Sequence, residues 1–581
     1  MITVKREADK IFFENFMNSL DKSYDEKASM TSYFMGENTP AHSKLRNKTV
    51  HDTRNSFEYA YHLLRRNKDG DVTRAHDVLY RVLQYQDINP NSKTYGIWPY
   101  YIEESLYEMV APDFNWADFN GKTILRILLH HENKLTNDIK MRLKDSVYHA
   151  CMAIIKRNVG PDYTNISVMG SYVTIIAGEY FGWADIFAYG KERLKKLYEY
   201  NTNNGSFSEF NSPTYTFTAL FDLSDFVLEA KDNESLNYAN TLLDMIWETL
   251  ALHYHPQTGQ LAGPHYRAYS FLLDDNTKFT LEKGLNHKIN LADSIENLID
   301  KNFCYDFSHE IKCPEKFIPY FTEKLKERVM DQTFRPGTTA YTYFNNNFTV
   351  GSLSLLVSWN QHKNVLGYFG SIEKPIAFNL RFLHDNYDYC SALMGTVQDK
   401  NKVLTGVNFV TDFGDTHGVL DPVKNATISA ESMVLQYVFK GAVDELKVEK
   451  ISDKSFYIKH KESGVNLIID FPYAIFDDFK IKAEFEKNGD EFYFNLVLYK
   501  GKRRDFNFAL IKKAVLIASL EISVGEINKT ETEILEKDGR IKAYFNNLSV
   551  DIPFIPGTFG DYCVNRATKL YRNGEIYEPL Y

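Results

Sequence analysis

Up to about residue 330 the apolar positions recur with helical spacing. Val78, Leu79, Val82 and Leu83 share one face, as do Leu143, Val147, Cys151 and Ile154. The same spacing predicts helices near 8–20, 56–66, 101–110, 121–133, 164–180, 184–201, 213–229 and 233–254. Short connections rich in Asn, Asp, Gly and Pro separate them, so neighbours are expected as antiparallel pairs. That gives ten to twelve helices and no convincing strand. After Arg335-Pro-Gly-Thr-Thr339 the period drops to two. Phe348–Ser358, Ser455–Lys461 and Glu491–Tyr499 alternate, and further runs fall at 403–411, 433–439, 466–471, 478–486, 514–524 and 541–551. Short alternating strands divided by turns such as Lys487-Asn-Gly-Asp490 read as an antiparallel sandwich. Helices first and strands second make an α+β chain of two domains, 1–335 and 340–581.

Length agrees, since 581 residues exceed one ordinary core. A formal net charge of −10 argues against general nucleic-acid binding, which needs a basic field. The five cysteines are scattered without a CxxC pair, which suits reduced thiols. The N-terminal run from Met1 to Asp9 carries charge where a secretory segment has its apolar core, and no apolar run is long enough to span a bilayer. A cytoplasmic protein with no membrane partner is expected. Aromatics reach 15%, with 39 Tyr and 41 Phe. Such side chains suit sugar rings, and they equally fill the cores of Tyr- and Phe-rich proteins.

Four segments of the helical half gather polar groups beside aromatics and turn formers. They are His51-Asp-Thr-Arg54, Tyr95-Gly-Ile-Trp98-Pro-Tyr-Tyr-Ile-Glu103-Glu104, Tyr163-Thr-Asn165, and Asn204-Gly-Ser-Phe-Ser-Glu209-Phe-Asn211-Ser-Pro-Thr-Tyr215. The fourth is followed by Gly263-Pro-His265-Tyr-Arg267-Ala-Tyr269. In the fourth, Ser212 and Pro213 have the form of a helix start, where exposed N–H groups favour anions. Each segment also has a structural reading: Asp52, Thr53, Thr164 or Asn165 capping helices, Trp98 and Tyr100 packing at a turn, Glu103 and Glu104 facing a helix dipole. Their recurrence at helix starts favours one concave mouth.

Asn165 opening one helix, with Gly205-Ser-Phe-Ser-Glu-Phe-Asn-Ser-Pro-Thr-Tyr215 fifty residues on, resembles the heparinase II/III-type polysaccharide lyases. The resemblance implies an incomplete (α/α) toroid followed by antiparallel β-sheets. It implies that Asn165 neutralises a substrate carboxylate and that Tyr215 is the catalytic tyrosine. Ile166 and Thr216 stand where many members carry His, and the family's further His has no motif match. His265 is the candidate taken from this sequence.

The activity implied is β-elimination on a uronic-acid-containing oligosaccharide or polysaccharide. The sugar carboxylate must be neutralised before its C5 proton can leave, a task for Asn165, Arg54 and Arg267. Tyr215 and His265 are the candidate base and acid. Working as a base near neutrality costs a tyrosine roughly 4 kcal/mol, more than one helix end supplies, so a buried Arg contact is required. His51, Trp98, Glu103, Asn211 and Tyr269 complete the expected substrate-binding set. The alternative is a glycoside hydrolase with paired carboxylic acids, drawn from Glu209, Glu103, Glu104 and Asp52. No cofactor is expected. His253-Tyr-His255 and His265 could make a metal site only with an acid that the local spacing does not provide, although related lyases sometimes hold a divalent cation. Trp359-Asn-Gln-His362 and Asp412-Phe-Gly-Asp-Thr-His417 in the strand half have two readings, as strand-end turns or as loops reaching the cleft.

Overall fold

The computed structural model describes residues 2–37, 42–418, 420–565 and 567–577. Helices dominate to residue 322: α1 (Ile2–Ser23), α2 (Thr53–Arg66), α3 (Asp71–Leu83), α4 (Trp116–His131), α5 (Asn137–Arg157), α6 (Thr164–Phe181), α7 (Ala184–Asn204), α8 (Tyr215–Glu229) and α9 (Asn233–His253), then the shorter α10 (Asp275–Gly284), α11 (Ile295–Asp300) and α12 (Ile318–Thr322). Successive helices alternate between two layers. Of the inner layer, α4 buries 13 of its 16 residues and α6 15 of its 18. Of the outer layer, α5 buries 8 of 21 and α7 6 of 21. Inner helices α2, α4 and α6 pack on one another while α3 packs on α5. This is the (α/α) toroid arrangement, and the weak amphipathicity of α6 follows from its burial on nearly every side.

Two compact units result, and the chain is interleaved between them. The helical unit holds Met1–Asn203, Thr218–Ile246 and Ala292–Lys312; the other holds Asn204–Phe217, Trp247–Leu291 and Cys313–Tyr581. The Gly205–Tyr215 segment therefore belongs with the strands. Two local expectations change. Residues 101–110 form turns rather than a helix, because Ser105, Glu108 and their neighbours close short i→i+3 bonds. The first fifty residues also contain a three-stranded antiparallel sheet, Tyr24–Asp25, Met30–Met35 and Lys48–His51, too short for the period-two signal to register.

The helical unit is held at its centre by charge. Lys122, Arg126 and His130 repeat every four residues along α4, facing Asp222, Asp225 and Glu229 on α8. Lys122 pairs with both Asp222 and Asp225, the latter at 2.8 Å. His309 Nδ1 lies 2.9 Å from Asp225, and His130 Nε2 lies 3.0 Å from Glu229. Burial works to raise the Asp225 pKa, but Lys122 and His309 outweigh it and hold the carboxyl well below its usual range. Burial wins at Asp222, which is raised despite Lys122.

The second unit is a stack of antiparallel sheets. One includes Thr427–Gly441, Pro375–His384 and Val365–Gly370; a second includes Val465–Phe476, Ala514–Val524 and Lys402–Phe409; a third includes Arg540–Phe545 and Leu548–Pro553. Val403, Leu516 and Leu520 pack toward the first sheet with Phe378, Tyr437 and Phe494. Leu404, Val515 and Ile517, one residue out of phase, pack toward the third with Ile541 and Val550. The middle sheet is thus covered on both faces, which explains why its strands read as nearly continuous apolar runs. The predicted Lys487–Asp490 turn is present, with Gly489 at φ +60° and Asn488 opposite Glu491. The expected strand over 541–551 divides into two at Asn546, which adopts φ +56°.

Lys122→Ala leaves the enclosed Asp222 without its cation and Asp225 with only His309 and Arg126, so urea unfolding should show a loss of about 3–5 kcal/mol. Leu516→Ala should cost about 2–5 kcal/mol through a cavity between sheets.

Candidate active site

The site is built where three segments of the second unit are stitched together by backbone. Tyr266 N donates to Phe210 O at 3.1 Å, Ala268 N to Gln361 O at 2.7 Å, and Lys363 N to His265 O at 2.9 Å. The 263–269 segment is thereby strung between the 205–215 loop and the 359–364 turn. It also passes close over the strand Phe348–Leu353. A Cβ on Gly351 would fall 2.1 Å from Gly263 O, so that approach requires glycine. Asn211, at φ +47°, clamps the segment by donating to Ala262 O (2.6 Å) and Pro264 O (3.1 Å). Ser212 acts as the predicted helix cap: its Oγ accepts from Tyr215 N at 2.9 Å and donates to Arg267 O.

Arg267 is the centre of this arrangement. Its Nη1 pairs with Glu209 at 2.6 Å, its Nε donates to Gln361 Oε1 at 2.8 Å, and its Nη2 donates to the Tyr215 hydroxyl at 2.9 Å. The guanidinium carbon lies 4.0 Å from the centre of the Tyr215 ring and 5.8 Å from that of Trp359. Tyr269, 60% exposed, places its hydroxyl 2.7 Å from that of Tyr215. Alongside, Arg335 donates to the Tyr266 hydroxyl, and the Tyr266 ring packs 4.9 Å from that of His362. Burial pushes the Tyr215 phenol pKa up; Arg267 opposes the rise, while Tyr269 and Glu209 add to it. The required Arg contact is present, yet the resting phenol is neutral because burial outweighs the charge Arg267 brings, with Tyr269 and Glu209 adding to the rise.

Of the sequence candidates, Glu209, Tyr215, Arg267 and Tyr269 come together here. Asn211 stands beside them as a backbone clamp, its amide spent on two carbonyls, instead of facing a substrate. His265 is 1% exposed, with Nε2 3.3 Å from the Tyr368 hydroxyl, and burial pushes its pKa down to about 3. Packing on every side leaves that imidazole no access to a substrate proton. The 359–362 turn does reach the site, and Gln361, which sequence reasoning left within a turn of two readings, holds Arg267. The signal was Trp359 and Gln361 between two short strands; what sequence lacked was the pairing that carries them across.

The helical unit accounts for the other candidates. His51 Nδ1 lies 2.5 Å from Glu103 and Nε2 3.2 Å from Asp25, so His51 and Glu103 meet each other. Arg54 lies over the Phe119 ring at 3.7 Å. Trp98 is fully buried, edge-on to Phe57, and this enclosure replaces its expected sugar contact. Asn165 sits in the first turn of α6, 1% exposed. Among the hydrolase candidates, Asp52 caps α2 through Asn55 N at 2.7 Å, with burial pushing its pKa up to about 6. Glu104 accepts from Lys44 N at 2.8 Å. No group of three or more metal-ligating side chains occurs among the described residues. His253 Nδ1 is bonded to Thr249 O, and His255 to Thr258 Oγ1 and Asn345 O. No helix among the described residues is long and apolar enough to cross a membrane.

A family model described as "Domain of unknown function (DUF8769)" matches residues 10–283. No curated protein matches the sequence. Several solved structures are similar over most of the chain. Heparinase III is 9% identical with a TM-score of 0.39, covering 87% of this chain and 82% of its own. A heparan sulfate lyase mutant from Pedobacter heparinus is 11% identical with a TM-score of 0.32, covering 86% and 81%. A chondroitin AC lyase mutant from Streptomyces coelicolor A3 is 9% identical with a TM-score of 0.39, covering 86% and 80%. Each likeness is one of fold alone.

Four buried histidines make the second unit acid-sensitive. Burial lowers His253 and His255 to about 4, and His265 and His362 to about 3. Each is neutral when folded but takes a proton when unfolded below about pH 6.5. Stability is therefore complete above that pH and falls below it, by roughly 1.4 kcal/mol per pH unit for each histidine. Thermal midpoints measured from pH 8 to 4 should hold steady above pH 6.5 and then drop steeply.

Proposed function

We propose that the protein is a polysaccharide or oligosaccharide lyase that cleaves a uronic-acid-containing glycan by β-elimination. The observation that carries the reading is the hydrogen bond from Arg267 Nη2 to the Tyr215 hydroxyl, with Glu209 and Gln361 fixing the guanidinium from its other side. It is an Arg contact of the kind a tyrosine base requires, made by a largely enclosed guanidinium.

In the proposed reaction Tyr215 serves both proton transfers, since His265 is enclosed. Its hydroxyl proton leaves by way of the exposed Tyr269 hydroxyl, and Arg267 stabilises the phenolate. The phenolate takes the C5 proton, the C–H electrons form the C4=C5 double bond, and the C4–O bond breaks. Tyr215 then returns that proton to the departing oxygen, which leaves the phenolate as it began and consumes no water; the phenol re-forms when a proton comes back through Tyr269. The substrate carboxylate must be neutralised for this to proceed; Asn165, which the sequence resemblance implies for that role, is as enclosed as His265 and is left out of the proposed step. A hydrolase would instead need two carboxylic acids across the bond, and Glu209 is committed to Arg267.

The test is incubation with a panel of uronic-acid oligosaccharides and glycosaminoglycans, followed by ultraviolet absorbance of the unsaturated product. New reducing ends without that absorbance would replace the lyase with a hydrolase. Tyr215→Phe should lower kcat by at least about a thousandfold while Kd stays within about threefold. Arg267→Lys, which loses the planar fork, should cost about a hundredfold in kcat. Because the phenol is raised and must ionise, kcat/KM of the wild type should climb with pH from 6 to 9. A profile flat across that range would remove Tyr215 from the role of base.

A further inference from the structure

A cationic ribbon lies on the strand Glu491–Asn507, on residues other than those assigned to chemistry. This strand is paired on one side by Lys482–Asn488, but only as far as Val497, opposite Lys482. Its other neighbour, Thr427–Gly441, continues to Asn507. Residues 498–507 therefore form an edge with one unpaired side in the sheet. Within this edge the register breaks. Lys500 stands opposite Ser432 and Arg504 opposite Ala430, so Gly501, Lys502 and Arg503 face the single residue Glu431. The extra residues bulge outward with Lys502 in the middle.

The bulge is anchored. Asp385 Oδ1 accepts from Glu431 N at 2.8 Å and Ser432 N at 3.0 Å, and Asp385 Oδ2 pairs with Arg503 at 2.9 Å. The Tyr499 hydroxyl donates to Lys502 O. Arg503 is thus consumed in holding the shape. Lys500, Lys502 and Arg504 are exposed and have no ion-pair partner among the described residues. Arg504 rests on an aromatic floor, 5.1 Å from the Phe479 ring centre, 5.2 Å from Phe506 and 6.0 Å from Tyr499. Four cations in five residues, on a chain of formal charge −10, are a local field opposite in sign to the whole.

We infer that this ribbon is a docking surface for a carboxylated or sulfated glycan chain, separate from the Arg267 site. Short cationic runs of this kind bind polyanions. The unpaired strand edge adds backbone N–H donors for carboxylate or sulfate oxygens, and the half-buried Tyr499 and Phe479 offer apolar faces to sugar rings. The overall negative charge disfavours the long phosphate track of a nucleic acid, which needs a broad basic field. The inference rests on the lyase reading only for the choice of an anionic glycan as occupant.

The experiment uses the full-length protein on immobilised heparin, on an immobilised unsulfated polyuronate and on single-stranded DNA-cellulose at low salt. The double variant Lys500→Gln/Lys502→Gln is compared with Lys447→Gln/Lys461→Gln, which removes equal charge from exposed positions elsewhere in the second unit. The first should weaken glycan binding about five- to tenfold and the second by less than about twofold. Equal losses in both, no loss in either, or tighter retention on DNA than on the glycans would overturn the proposal. Turnover of a short uronate oligosaccharide should be the same in both variants as in the wild type. If no substrate yields unsaturated product while the selective binding loss persists, the lyase reading falls and the ribbon stands.

Discussion

The three-way fork of Arg267 is the interaction on which the second unit's site depends. A guanidinium has donors fixed in one plane, so satisfying Glu209 and Gln361 leaves its remaining arm aimed at a determined place. That place is the Tyr215 hydroxyl. The three partners come from chain positions about fifty and a hundred residues away. Their common attachment to one side chain holds together the 205–215 loop, the 263–269 segment and the 359–364 turn. The backbone bonds between these segments supply the same constraint independently, which is how a site assembled from loops acquires rigidity.

The two units solve the problem of burial differently. The sheets bury apolar clusters against both faces of the middle sheet, and buried polar side chains in these sheets pair, as Thr396 does with Thr405 and Gln436 with Asn495. The helical unit places a row of cations against a row of anions between inner helices. Ion pairs of this kind cost desolvation and add little net stability, but they penalise every packing that separates them. In a ring of similar helices, where apolar faces could slide past one another, such a row fixes one register. The strand unit needs no such device, because pairing register already selects which residues face inward.

Much of the architecture was legible because periodicity is a local property. The stretch Ala514–Val524 appears as a strand with the bounds its alternation gave, and Ser212 caps α8 as its chemistry suggested. Residues 101–110 misled because apolar residues at helical spacing also arise where a chain makes successive turns around buried Tyr100 and Tyr101. Within the candidate site, Glu209, Tyr215, Arg267 and Tyr269 were each visible as chemistry beside a turn or a helix start. Gln361 was visible only inside a segment with two readings, since its role comes from the turn that carries it to Arg267. Trp98 and His265 were misjudged for a related reason. An aromatic or imidazole side chain can pack or bind, and sequence does not say whether solvent reaches it.

The sequence by itself determined the order of helices and strands, the caps and the residue types gathered at the candidate site. Those depend on neighbours within a few positions and on intrinsic side-chain chemistry. Tertiary structure alone decided that the chain interleaves its two units, that Glu209 and Gln361 share Arg267, and that His265 is shut away. Access and hydrogen-bond partnership are properties of three-dimensional neighbours, and residues a hundred positions apart become neighbours only when the sheets and loops are folded.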